Sequence, residues 1–187
     1  MQDEKLRERL DARTSIYNGH VINLEKWDVT LPNGKPAMRE VAIHKGASAI
    51  VPVDDEGYVY LVRQFRTPLQ RVLTEVPAGK LDSAGEDHLV AAKRELHEET
   101  GFTAKKWTHL VDLATTPGFC TETISLYLAE GLTRGETDFD DDEFLDLVRM
   151  PLNEPVRTAL TGGFEDAKTI AALLLAAHAR KGEGAPC

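Results

Sequence analysis

The chain has 187 residues, of which 42% are apolar and 28% charged, and a formal net charge of −9. That length supports a buried core without disulfide or metal staples, and the composition excludes a disordered chain. The acidic balance argues against nucleic acid as a partner, which asks for a basic face; it fits a solvated acidic surface, or carboxylates gathered around divalent cations. No run of 18 apolar residues exists, so neither a membrane-spanning helix nor a membrane partner is expected. The opening MQDEKLRERLDARTS has no apolar stretch and is not expected to act as a signal peptide. The two cysteines, Cys120 and Cys187, form no CxxC pair. A disulfide framework or Cys-rich zinc site is not expected, and the expected placement is a reducing cytoplasm.

In chain order, the first dozen charged residues read as a short helix or an arm. From Ile16 to His44 the pattern is extended, with Pro32-Asn33-Gly34-Lys35 as a hairpin turn and Arg39 to Ile43 as the returning strand. Asn-Gly suits a type I′ turn, in which both central residues take positive φ. Ala47 to Val53 reads as a buried strand, Asp54 to Gly57 as a turn, and Tyr58 to Phe65 as the partner strand of a second hairpin. Glu86 to Thr100 is the clearest helix: Leu89, Ala92 and Leu96 recur at three- and four-residue spacing, and Gly101 stands at the C-cap. Trp107 to Ala114, Thr123 to Ala129 and Phe144 to Met150 read as strands, with an acidic loop at 136–143. After Pro155 come a short helix and a longer one, Ala167 to Ala179, and a frayed tail. Strands, helix, strands, helices is the order of an α+β domain.

The chemistry centres on Arg94-Glu95-Leu96-His97-Glu98-Glu99-Thr100-Gly101. On a helix, Glu95, Glu98 and Glu99 share one face, opposite a packing face of Leu89, Ala92 and Leu96. Three carboxylates so placed repel one another and make a seat for hard cations such as magnesium. Arg94 reaches Glu98, four residues on. A charge run of this kind is by default a solvated helix face, and the flanks decide the matter. Glu86 precedes Arg94 by eight residues, Gly79 precedes Glu86 by seven, and Gly101-Phe102 follow.

This pattern resembles the Nudix box, G-x5-E-x7-R-E-U-x-E-E-x-G-U, where U is a bulky apolar residue. The polar and glycine positions from Arg94 to Gly101 would match by chance in such a chain roughly once in ten thousand. One departure stands out: KLDSAG puts six residues between Gly79 and Glu86, where the box has five. The resemblance implies hydrolysis of a nucleoside diphosphate linked to another moiety, assisted by Mg2+ or Mn2+.

Further segments are similar to the ADP-ribose pyrophosphatase branch: Arg39-Glu40-Val41, Val62-Arg63-Gln64-Phe65-Arg66, Glu75-Val76-Pro77-Ala78-Gly79, Pro117-Gly118-Phe119 with Glu122, and Glu143-Phe144. The similarity covers roughly Val29 to Met150. It implies that the Ala78 carbonyl, Glu95 and Glu99 hold metal, with Glu98 as a further ligand or orienter and Arg94 supporting the box. Arg39 and Arg66 match arginines that grip phosphate or ribose, and Glu122 an acid near the substrate. Glu143 matches the general base, with Asp141 as the alternative. Trp27 and Phe119 are candidates for the pocket wall, Trp27 by stacking; the simpler reading of Trp27 is packing or an interface. Cys120 reads as packing and His97 as exposed.

The implied fold is an α/β/α sandwich with a mixed sheet and an N-terminal antiparallel β region. The implied division is a strand-rich dimerisation region at residues 1–44 and a hydrolase domain at 45–187, forming a homodimer. The implied reaction takes ADP-ribose to AMP and ribose 5-phosphate. Another nucleoside diphosphate sugar as substrate, or a non-catalytic ADP-ribose sensor, remain open; the intact set of glutamates argues against the sensor. No HExxH or GxxxxGK[ST] motif occurs, so neither a zinc protease nor a P-loop enzyme is expected.

Overall fold

The computed structural model describes residues 3–135 and 144–182, and the chain divides into two compact units. The first unit comprises residues 1–46 and 114–122; the second comprises 47–113 and 123–187.

The first unit is a three-stranded antiparallel sheet in the order β1-β2-β3, with β1 at Arg9–Asn18, β2 at Asn23–Thr30 and β3 at Pro36–Ile43. The charged opening holds a short 3-10 helix, Asp3–Leu6, and gives way to β1 already at Arg9, earlier than the expected start of extended structure. Every residue of β1 is exposed, so no apolar alternation marks it. Pairing with β2 alone defines it. The β2–β3 hairpin forms as expected, but its turn is not type I′. Gly34 takes φ 81° while Asn33 stays at negative φ, and Gly34 N–H donates to the Leu31 carbonyl at 2.8 Å. The connection is therefore a three-residue loop closed by a left-handed glycine. The segment at 114–122 docks on β3: Ala42 N–H donates to the Phe119 carbonyl at 2.7 Å, and Thr121 N–H to the Ala42 carbonyl at 3.0 Å.

The second unit holds a seven-stranded mixed sheet. Its path is β10-β5-β4-β9-β8, with β6 beside β5 and β7 beside β4. The ranges are β4 Ala47–Val53, β5 Tyr58–Arg66, β6 Arg71–Glu75, β7 Ala78–Lys80, β8 Phe102–Ala114, β9 Thr123–Arg134 and β10 Asp146–Pro151. β4 runs parallel to β9 and antiparallel to β5 and β7. All seven residues of β4 are buried, because both sheet faces are covered. Ala49, Val51 and Val53 pack with Ala172, Leu173 and Ala176 of α3 (Ala167–Lys181). Ile50 faces the other way, into Ala92 and Leu96 of α1 (His88–Thr100). Helices on both faces of one sheet make the α/β/α sandwich, and each such buried valine, leucine or isoleucine is worth about 1.5–3 kcal/mol.

α1 starts two residues later than the sequence suggests. Asp87 caps it, accepting from Leu89 and Val90 N–H, and Gly101 ends it at φ 71°. α2 (Asn153–Leu160) begins before Pro155, which occupies its first turn, where a missing N–H costs nothing.

Candidate active site

In the second unit, β7 brings Ala78 and Gly79 against the carboxylate face of α1. Ala78 N–H donates to Glu99 Oε2 at 3.1 Å. A Cβ built on Gly79 would fall 1.9 Å from Glu95 Oε1, so any larger residue there would displace that carboxylate. Glu95 and Glu99 are 8% and 4% exposed. The sequence pattern suggested an outward-facing carboxylate stripe. Instead β7 covers two of its three members, and Glu98 alone stays half-buried at the edge.

Arg94 organises the set. It donates to Glu95 Oε1 at 2.7 Å, to Glu98 Oε2 at 3.1 Å and to the Lys80 carbonyl at 3.1 Å. Asp82 and Glu86 lie 3.4 and 3.7 Å from it. Burial works against the charge of Arg94, yet Glu95, Asp82 and Glu98 hold its pKa above the ordinary arginine value. Four carboxylates thus share this guanidinium. In the loop with the extra residue, Glu86 Oε2 accepts from Asp82 N–H at 2.6 Å, which leaves the α1 register intact.

Among the described residues, no three His, Cys, Asp or Glu side chains converge into a closed metal cage. Magnesium does not ask for one: it binds through one or two carboxylates plus waters and substrate phosphate. The donors here are hard, anionic oxygens. The residues fit a divalent ion of that class.

Arg66, at the end of β5, is clamped side-on by Glu75: Nε to Oε1 at 2.7 Å and Nη2 to Oε2 at 2.8 Å. That bond, above all, raises the Arg66 pKa; burial works against it, and the charge of Glu99 adds to the rise. Glu75 was visible in the sequence only as a motif letter. Its partner Lys168, from α3, carried no sequence signal at all.

In the first unit, Trp27, Arg39 and Phe119 line one cavity of about 320 Å³, together with Glu8, Val41 and Thr121 among others. Trp27 and Arg39 are directly opposed on β2 and β3. The indole is fixed from two sides: its Nε1–H donates to Glu25 at 2.5 Å, and the Arg13 guanidinium stacks 4.5 Å from the ring centroid. Arg39 pairs with Glu8 and donates to the Met38 carbonyl at 3.0 Å. Glu122 accepts from the Thr115 hydroxyl at 2.6 Å and lies 3.5 Å from His44 Nδ1. Cys120 is a free, half-buried thiol on the cavity wall. His97 is exposed. Glu143 and Asp141 lie outside the described residues.

A family model described as the NUDIX domain matches residues 42–173. The chain belongs to the NUDIX domain family. Nudix hydrolases generally require a divalent metal, in keeping with the oxygen-rich donor set. The chain is 42% identical to an ADP-ribose pyrophosphatase of Bacillus subtilis (strain 168), over 91% of this chain and 92% of that protein. It is 41% identical to a methanol dehydrogenase activator of Bacillus methanolicus, over 90% and 92%. Among solved structures, that of an ADP compounds hydrolase superposes with a TM-score of 0.82 at 26% identity, covering 96% of this chain and 97% of the other. No helix among the described residues is long and apolar enough to cross a membrane.

Proposed function

We propose that this Nudix protein hydrolyses ADP-ribose to AMP and ribose 5-phosphate, with Mg2+ or Mn2+ as cofactor and as a homodimer in the cytoplasm. The reading is carried by the carboxylates of Glu95 and Glu99, buried against the Ala78-Gly79 strand, with Gly79 leaving room for Glu95. Carboxylate oxygens gathered on one helix face beside a backbone carbonyl are the hard donors that a divalent ion of the magnesium class takes.

Glu95, Glu98, Glu99 and the Ala78 carbonyl would hold the metal, which neutralises diphosphate charge and eases proton loss from the attacking water. In the reaction, water oxygen bonds to phosphorus, the bridging P–O bond breaks, and the water proton passes to a base. Glu143 takes that role, with Asp141 as the alternative. Arg66 grips phosphate, and its bidentate clamp fixes the plane of the guanidinium before substrate arrives. Trp27, held flat by Arg13 and Glu25, offers its ring to a base, with Arg39, Phe119 and Glu122 completing the substrate contacts. Residues 1–44 form the dimer contact. β1 supports this, being a ten-residue edge strand, exposed throughout, that carries Leu10, Ile16 and Tyr17. An exposed edge strand of that length, with three large apolar side chains on it, calls for a cover.

Incubation with Mg2+ and a panel of diphosphate sugars tests the reading. ADP-ribose should be cleaved fastest. Faster cleavage of GDP-mannose or ADP-glucose would move the substrate, and tight binding without cleavage would make the protein a sensor.

A further inference from the structure

We infer that Glu75 and Lys168 are a positioning pair that aims Arg66 at the diphosphate of the substrate. Glu75 ends β6 and is 1% exposed. Both of its oxygens take Arg66, and Oε2 also takes the ammonium of Lys168, whose side chain is 11% exposed. The Lys168 ammonium lies 2.9 Å from Asp166 as well.

The backbone around these groups is tied down on both sides. Asp166 caps α3 by accepting from Thr169 N–H at 2.9 Å, and the Thr169 hydroxyl accepts from Val76 N–H at 2.9 Å, one residue after Glu75 and two before Ala78. The start of α3 thereby fixes the link between β6, which delivers Glu75 to Arg66, and β7, which delivers Ala78 to Glu99.

A buried ionic cluster of this kind is a poor source of stability, because apolar side chains of the same volume pack as well at lower desolvation cost. Its product is geometry and charge at Arg66. A guanidinium has five N–H donors, and the side-on clamp uses two, leaving the outer edge of a side chain that is 38% exposed. The charge of Glu99, on the box helix, also favours the charged form of Arg66.

Lys168 decides how much charge Arg66 has to give. With Lys168 present, Glu75 is shared between two cations, and Arg66 keeps positive charge for a phosphate. Without Lys168, the whole Glu75 charge falls on Arg66. This rests on the reading of Arg66 as the phosphate-gripping residue.

The test is Lys168→Met, alone and in an Arg66→Ala background, read as KM and kcat for ADP-ribose and as calorimetric affinity for ADP in Mg2+. KM and the ADP Kd should each rise about tenfold, a fraction of a charge-assisted hydrogen bond, with kcat within about threefold. Lys168→Arg should restore both. In the Arg66→Ala background, Lys168→Met should add nothing. An equal loss in that background, no loss at all, or an ADP affinity indifferent to Arg66→Ala overturns the inference. If Lys168→Met does not fold, Glu75→Gln is read in the same two backgrounds against the same outcomes. If ADP binds but ADP-ribose is not cleaved, the proposed reaction fails, while ADP affinity still decides the role of the pair.

Discussion

Replacing Gly79 by alanine adds one methyl group and aims it at the Glu95 carboxylate. Gly79 does not need positive φ, so alanine brings no backbone strain. The added Cβ would lie 1.9 Å from Glu95 Oε1, where ordinary contact begins at 3.4 Å. The carboxylate must retreat by about 1.5 Å, and it can, because it is the far end of a flexible side chain. Retreat breaks its 2.7 Å bond to Arg94 and moves a proposed metal donor. Displacements of about 1 Å at a reacting centre cost on the order of 10²-fold in rate. We expect kcat with ADP-ribose and Mg2+ to fall about 10²-fold or more, and stability to fall by about 1–3 kcal/mol, the usual cost of overpacking. In a Glu95→Ala background the methyl group meets no carboxylate, so Gly79→Ala should then be close to neutral in stability. Wild-type turnover by Gly79→Ala, or the same destabilisation with and without the Glu95 side chain, would refute the reasoning.

Glu99→Gln should abolish turnover and leave stability without metal equal or slightly higher, since the amide oxygen can still accept from Ala78 N–H while repulsion with Glu95 is relieved; activity in Mg2+ with parallel thermal melts checks both halves. Removing residues 1–44 should cost dimer and activity together, and light scattering that finds a fully active monomer contradicts this. Glu143→Gln should lower kcat by about 10²–10⁴-fold with KM within a few-fold, and Asp141→Asn should cost less; steady-state kinetics showing the reverse order would move the base to Asp141.

The parts of the fold legible in sequence are those where one physical cause dominates. β4 is a mostly apolar run because both of its faces are covered, and α1 carries Gly101 at its end and apolar residues at helical spacing. β1 was not legible, since an exposed, charged strand has no period to show. β6 and β7 are too short for one. The Asn33-Gly34 hairpin was legible as a hairpin, but loop length, not the dipeptide, selects the turn type. At the site, the box spacing named the carboxylates but not their burial, because the covering strand comes from residues before the helix. The charge of Arg66 was legible, and its clamp was not: Lys168 reaches Glu75 from 93 positions away, and only the packing of α3 on the sheet joins them.

The most direct test of the central claim is a 31P NMR time course of ADP-ribose with the full-length protein and Mg2+, run beside Glu99→Gln. The account predicts loss of the diphosphate signals and growth of AMP and ribose 5-phosphate in equal amounts, with neither change in the variant. Diphosphate signals that persist with the wild-type protein, or cleavage undiminished in Glu99→Gln, would contradict it.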